Sequence, residues 1–143
     1  MKESANPLFI AIAEDDPQTR LSLDVTLRRA GHQTLLAESG DVLLEMIGNM
    51  SEEEVAEIDL LVTDINMPGT QGGQLVRELD SRALVLPVVV ITAYGKESLE
   101  SEFSQRGSII FLRKPFLPKA LTKSVSMAYS IACLARNQRV DVQ

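Results

Sequence analysis

Leu8-Phe9-Ile10-Ala11-Ile12-Ala13, followed at once by Glu14-Asp15-Asp16-Pro17, is the stretch that decides the fold class. The first six residues form a short, nearly continuous apolar run, the pattern of a strand buried on both faces. Pro17 suits the first turn of a helix, where its missing N–H is no loss. A strand therefore feeds a helix, which is predicted to run to Ala30 with Gly31 as a left-handed stop. Leu23, Leu27 and Ala30 share its inner face, while Leu21 and Val25 lie on another.

The same alternation continues outward from this unit. Gln33 to Ala37 reads as a second strand, and Val42, Leu43, Met46, Ile47 and Met50 recur at helical spacing. Ser51 to Glu57 is acidic and reads as an exposed insertion before a third strand, Asp59-Leu60-Leu61-Val62-Thr63, which ends at Asp64. Met67-Pro68-Gly69 and Gly72-Gly73 mark a loop, after which Leu75, Val76 and Leu79 define a third helix. Pro87 to Thr92 is a valine-rich strand, Leu99 and Phe103 pair at i and i+4 in a fourth helix, and Ile109 to Leu112 make a fifth strand. The final helix starts near Pro118. Five strands alternating with five helices predict an α/β fold, a doubly wound parallel sheet covered on each face.

Bulk properties narrow the function. The 143 residues, 45% of them hydrophobic, suit one domain with a substantial core. A net charge of -6 disfavours direct binding to a nucleic-acid backbone. The longest apolar runs, such as Leu84 to Ile91, are far too short to span a membrane. A lone cysteine, Cys133, has no internal disulfide partner, and Met1 to Pro7 lack the apolar core of a secretion signal, so a cytoplasmic location is expected.

In such sheets ligands gather beyond the carboxyl ends of the strands. Glu14 and Asp15 follow the first strand, Asp64 ends the third, Thr92 the fourth and Lys114 the fifth, so all five are expected at one edge. Carboxylates brought together repel, and a hard cation with oxygen ligands relieves the repulsion. Magnesium fits, because it is commonly held by one or two carboxylates plus phosphate oxygens. The Lys114 ammonium and Thr92 hydroxyl could then grip a phosphoryl group, with Asp64 as nucleophile. Singly, each residue has an ordinary reading: helix capping for the acidic pair, a turn former for Asp64, a strand-end hydroxyl for Thr92, a solvated surface lysine for Lys114. Their joint placement at four strand ends is the signal.

Glu14-Asp15, Asp64-Ile65-Asn66-Met67-Pro68-Gly69, Thr92-Ala93 and Lys114-Pro115-Phe116 together resemble the signature of a response-regulator receiver domain of two-component signalling, over Leu8 to about Ala132. The separations between these motifs also fit, the first slightly long because of the acidic insertion. The resemblance implies a flavodoxin-like (βα)5 fold with strand order 2-1-3-4-5, one receiver domain occupying the chain, and 133–143 as helix end or linker. It implies that Asp64 accepts a phosphoryl group from a sensor histidine kinase or histidine phosphotransferase. Asp15 and Asp64 would hold Mg2+ through carboxylates, Asn66 through its backbone carbonyl and Glu14 through a water. Lys114 would pair with the phosphoryl group across a cis Lys-Pro bond, Thr92 would report its presence, and Phe111 would be the aromatic switch. Asp16 is assigned to the helix cap instead. Two departures stand out: Gln71 where an acid is frequent and Gly73 where an apolar residue is, so the third helix is expected to start loosely. Tyr94 stands where the lifetime of the acyl phosphate is tuned, so slow autodephosphorylation is expected.

Two apolar features fit the core less well. Leu21 and Val25 would be exposed unless packed locally. The final helix has Leu117, Leu121, Val125, Ala128 and Ala132 at core spacing, yet Met127, Tyr129, Ile131, Cys133 and Leu134 leave its end apolar all round. That end is read as a dimer or interdomain contact, or as a linker; a homodimer would use the fourth helix, fifth strand and fifth helix. The competing functional class is a magnesium-dependent phosphohydrolase with an aspartate nucleophile, which usually carries a second Asp two residues on, where this chain has Asn66.

Overall fold

The computed structural model describes residues 7–93 and 107–142. Its strands are β1 (Phe9–Ala13), β2 (Gln33–Ala37), β3 (Leu60–Asp64), β4 (Val88–Thr92) and β5 (Ile109–Arg113). Its helices are α1 (Pro17–Arg29), α2 (Gly40–Gly48), α3 (Glu52–Ala56), α4 (Gly72–Ser81) and α5 (Pro118–Val142). The strands form one parallel sheet in the order β2-β1-β3-β4-β5. The order reverses at β1, which is flanked by β2 and β3, so the crevice beyond β1 and β3 is the expected ligand position.

Side-chain alternation along each strand divides the core into two layers. Ala11, Ala13, Leu61, Val88 and Val90 face one way and meet Leu43 and Ile47 of α2 and Leu75, Val76 and Leu79 of α4. Ile10, Ile12, Leu60, Val62, Val89 and Ile91 face the other way and meet Leu23 and Leu27 of α1 and Leu121, Val125 and Ala128 of α5. Both faces being covered explains why the strands read as continuous apolar runs. Each large aliphatic side chain removed from water here contributes about 1.5–3 kcal/mol.

Helix ends follow local chemistry. The Asp16 side chain accepts from the Thr19 N–H at 2.8 Å, capping α1 ahead of Pro17. Gly31, at φ 101°, lets the Gly31 and His32 N–H groups turn back onto the Arg28 and Leu27 carbonyls. Ala30 lies outside the buried face, contrary to the sequence reading, because the helix has already ended.

The acidic insertion is exposed, as its reading expects, and it additionally contains the short helix α3. Glu54 N–H donates to Ser51 Oγ at 3.1 Å, and Ser51 N–H donates to Glu54 Oε1 at 2.8 Å, a reciprocal capping box. Val55 packs against the core and keeps this segment on the domain. Gly72 and Gly73 are the buried first residues of α4 and not loop. Gln71 occupies the cap position without making a side-chain cap bond.

In α5, Leu121, Val125 and Ala128 are buried as expected, whereas Leu117 is 73% exposed because it precedes the helix, and Ala132 is half-buried. At 25 residues, α5 extends about 37 Å. Met127, Ile131 and Leu134 on α5 and Leu21 on α1 are exposed. The fourth helix expected around Leu99 and Phe103 lies outside the described residues. No helix among the described residues is long and apolar enough to cross a membrane.

Candidate functional site

The strand register brings the predicted residues to one edge of the sheet. Ala13 pairs with Ala37 at the end of β1, Asp64 with Ile91 at the end of β3, and Thr92 with Arg113 at the end of β4. Each strand thus delivers its last residue, or the one or two that follow it, to the same crevice. Asp64 is 6% exposed, Glu14 is 1% exposed and Thr92 is 2% exposed, while Asp15 stands at the exposed rim. The Lys114 N–H donates to the Thr92 carbonyl at 2.8 Å, which continues the β4–β5 pairing by one residue and carries Lys114 to the pocket. The Lys114-Pro115 peptide bond is cis.

Asp64 accepts a hydrogen bond on each of its side-chain oxygens. The Asn66 N–H donates to Oδ1 at 2.9 Å, and Lys114 Nζ donates to Oδ2 at 2.7 Å. The Asp16 N–H donates to Glu14 Oε2 at 3.0 Å. Among the described residues Glu14 Oε1 is buried without a hydrogen-bond partner, and Lys114 Nζ lies 3.9 Å from it. Burial pushes the Glu14 carboxyl up to about 7, opposed by the Asp16 N–H and reinforced by the Asp64 charge. Burial pulls the Lys114 ammonium down, yet its hydrogen bond to Asp64 and the charges of Asp64, Glu14 and Asp15 outweigh that, leaving it raised. The pocket is therefore an acidic pair with one cation between its members.

A cation requirement can be tested on these atoms. Glu14 Oε1 is a buried acceptor with no partner among the described residues, and unmet acceptors in low dielectric are costly. The acidic side chains gathered here, Glu14, Asp15 and Asp64, offer hard oxygens, the kind that Mg2+ prefers. The residues therefore fit a hard divalent cation. Among the described residues no trio of acidic, cysteine or histidine side chains is already gathered in ligating geometry.

Phe111 sits opposite Val90 in the β4–β5 register and is half-buried on the α2 and α4 side of the sheet. Tyr94 lies outside the described residues. One residue that sequence reasoning missed is Arg20, whose Nη1 donates to the Glu14 carbonyl at 2.8 Å and the Asp15 carbonyl at 3.4 Å. It pins the backbone that carries both acids. Its place one turn into α1, after the acidic run, was the available signal. A second is Gly72, where a Cβ would stand 2.5 Å from the Asp64 carbonyl oxygen. Only a glycine lets α4 begin so close to the end of β3.

Comparison with known proteins shows the family. The chain is 32% identical over 117 residues to the response regulator protein FleR of Pseudomonas aeruginosa, covering 82% of this chain and 24% of FleR. It is 30% identical over 131 residues to the transcriptional regulatory protein PdtaR of Mycobacterium tuberculosis, covering 90% of this chain and 60% of PdtaR. The chain thus spans between a quarter and three fifths of these relatives. Among solved structures, a response regulator receiver domain protein from Clostridium thermocellum superposes with a TM-score of 0.76 at 22% identity, covering 90% of this chain and 98% of that one. NtrX from Brucella abortus reaches 0.80 at 25% identity, covering 96% of this chain and 30% of NtrX. The Response regulator receiver domain family matches residues 10–126, and it is to this family, the receivers of two-component regulators, that the chain belongs.

Proposed function

We propose that this domain is a phosphoacceptor switch in which Asp64 takes a phosphoryl group from the phosphohistidine of a sensor histidine kinase or histidine phosphotransferase in the cytoplasm. The observation that carries this reading is the convergence of Lys114 Nζ and the buried Glu14 carboxyl on Asp64, at the reversal point of the sheet. An Asp64 carboxylate oxygen attacks the phosphorus, the P–N bond of the donor breaks, and the leaving imidazole takes up a proton. Lys114, already on Oδ2, is placed to hold a phosphoryl oxygen as negative charge is transferred. Asn66 keeps the other carboxylate oxygen oriented.

The residues that would hold Mg2+ are Asp15 and Asp64 through carboxylates, Asn66 through its carbonyl, and Glu14 through a water. Bound there, the cation supplies positive charge that offsets both the acidic pair and the incoming group. Thr92, buried beside Asp64 at the end of β4, then turns toward the phosphoryl group, and Phe111 on the neighbouring strand follows. The surface that changes includes β5 and α5, and its exposed Met127, Ile131 and Leu134 support a homodimer as one output. The domain is no turnover enzyme in this reading.

Incubation with acetyl phosphate and Mg2+, followed by intact mass measurement, tests it. Wild type should gain one phosphoryl mass, labile in base, and Asp64→Asn should gain none. A wild type that gains nothing refutes the reading.

A further inference from the structure

We infer that Asp41, the second residue of α2, is a positioning residue that latches the loop between β3 and α4 through Thr70 and so presets the Asn66 carbonyl for the cation. The inference rests on the phosphoacceptor reading above. That loop begins at Asp64 and closes where the Gly72 N–H donates to the Ile65 carbonyl at 3.1 Å. Its far side meets α2. Asp41 Oδ1 accepts the Thr70 hydroxyl, and Oδ2 accepts the Thr70 N–H at 3.4 Å. Gly69, at φ 76°, leaves no room for a Cβ against Asp41 Oδ2. Gly40 lies so close that a Cβ there would stand 2.8 Å from the Thr70 carbonyl oxygen. Thr70 is buried, and α2 is itself seated on the sheet by Leu43 and Ile47.

The ordinary role of an acid in the first turn is to complement the helix dipole. Capping of α2 is already done by Ser39, whose side chain accepts the Val42 N–H. Both Asp41 oxygens are turned instead onto the loop, across 29 residues of sequence. A loop tied at one end by β3 and at the other by α2 has fewer conformations to lose when Asn66 becomes a ligand. Such partners of a metal's ligands act by preorganising them.

Isothermal titration with Mg2+ and the rate of phosphorylation by acetyl phosphate would be measured on the full chain. Asp41→Ala and Thr70→Val should each weaken Mg2+ binding about tenfold, the low end for lost supporting contacts. Their combination should be no worse than either alone, because both break one latch. Thr70→Ser, which keeps the hydroxyl, should bind like wild type. Val125→Ala, in α5 on the opposite face of the sheet, should melt earlier yet bind Mg2+ normally. If wild type binds Mg2+ and both latch variants bind within twofold of it, the latch is refuted while the phosphoacceptor reading stands. If wild type binds no Mg2+, both fall together.

Discussion

Replacing Gly72 by Ala sets two effects of opposite sign against each other. In a helix Ala is favoured over Gly by about 0.5–1 kcal/mol, since less backbone entropy is lost on folding. Against this, a Cβ at Gly72 would stand 2.5 Å from the Asp64 carbonyl oxygen, 3.0 Å from Ile65 Cα and 3.2 Å from the Asp64 carbonyl carbon. All three atoms are backbone, so no side chain can rotate away. Restoring an ordinary contact of 3.4 Å requires α4 to retreat by about 0.9 Å from the end of β3. Overpacking of this kind costs about 1–3 kcal/mol, and stretching the Gly72-to-Ile65 hydrogen bond adds up to about 1 kcal/mol. The net expectation is a loss of about 2 kcal/mol, or a fall in Tm of roughly 4–8 °C for a chain near this size. Gly48, at the end of α2, has nothing among the described residues within 4 Å of the added carbon. There the same substitution should stabilise by about 0.5 kcal/mol. Urea unfolding followed by far-UV circular dichroism would show the midpoints moving in opposite directions at unchanged slope. A Gly72→Ala protein as stable as wild type would refute the close-approach argument.

His32 offers a pH test: its Nδ1 accepts the Leu8 N–H at 3.0 Å, and burial holds its pKa below the ordinary 6.5, against the pull of Asp59. Because the folded pKa is depressed, the stability it confers is present above pH 6.5 and lost as pH falls through the folded value. The wild-type minus His32→Gln difference in unfolding free energy should therefore shrink between pH 7.5 and pH 5, and a constant difference would contradict this. Mg2+ at one hundred times its Kd should raise stability by about 2.7 kcal/mol in thermal melts, reversibly with EDTA; an unchanged melt would remove the cation from the account. Leu134→Glu should lower the oligomeric mass of the phosphorylated protein measured by light scattering, and an unaltered mass would count against α5 as the contact.

How much was legible in the chain depended on the range of each interaction. The continuous apolar run Leu8 to Ala13 is a local pattern, and it survives because a strand covered on both faces needs an apolar side chain at nearly every position. Asp16 before Pro17 reads as a cap because it too is local: donor and acceptor are three residues apart. The Ser51 to Glu54 capping box is equally local, but the run of acids around it hides the pattern. Gly72 and Gly73 misled, since in isolation such a pair signals a loop. Here a helix begins on them because the Asp64 carbonyl lies alongside. Leu117 looked like core by spacing and is exposed, because periodicity cannot say where the helix begins.

By itself the sequence determined the α/β class, the strands to within a residue of their ends, and the identity of the acids, the threonine and the lysine at the strand ends, because hydrophobic period and capping act over a few residues. Only the tertiary structure decided which contacts join them: Lys114 on Asp64 across 50 residues, Arg20 on the carbonyls of Glu14 and Asp15, and Asp41 on Thr70 across 29. Such pairings depend on strand order and register, which place distant segments side by side and which no local pattern encodes.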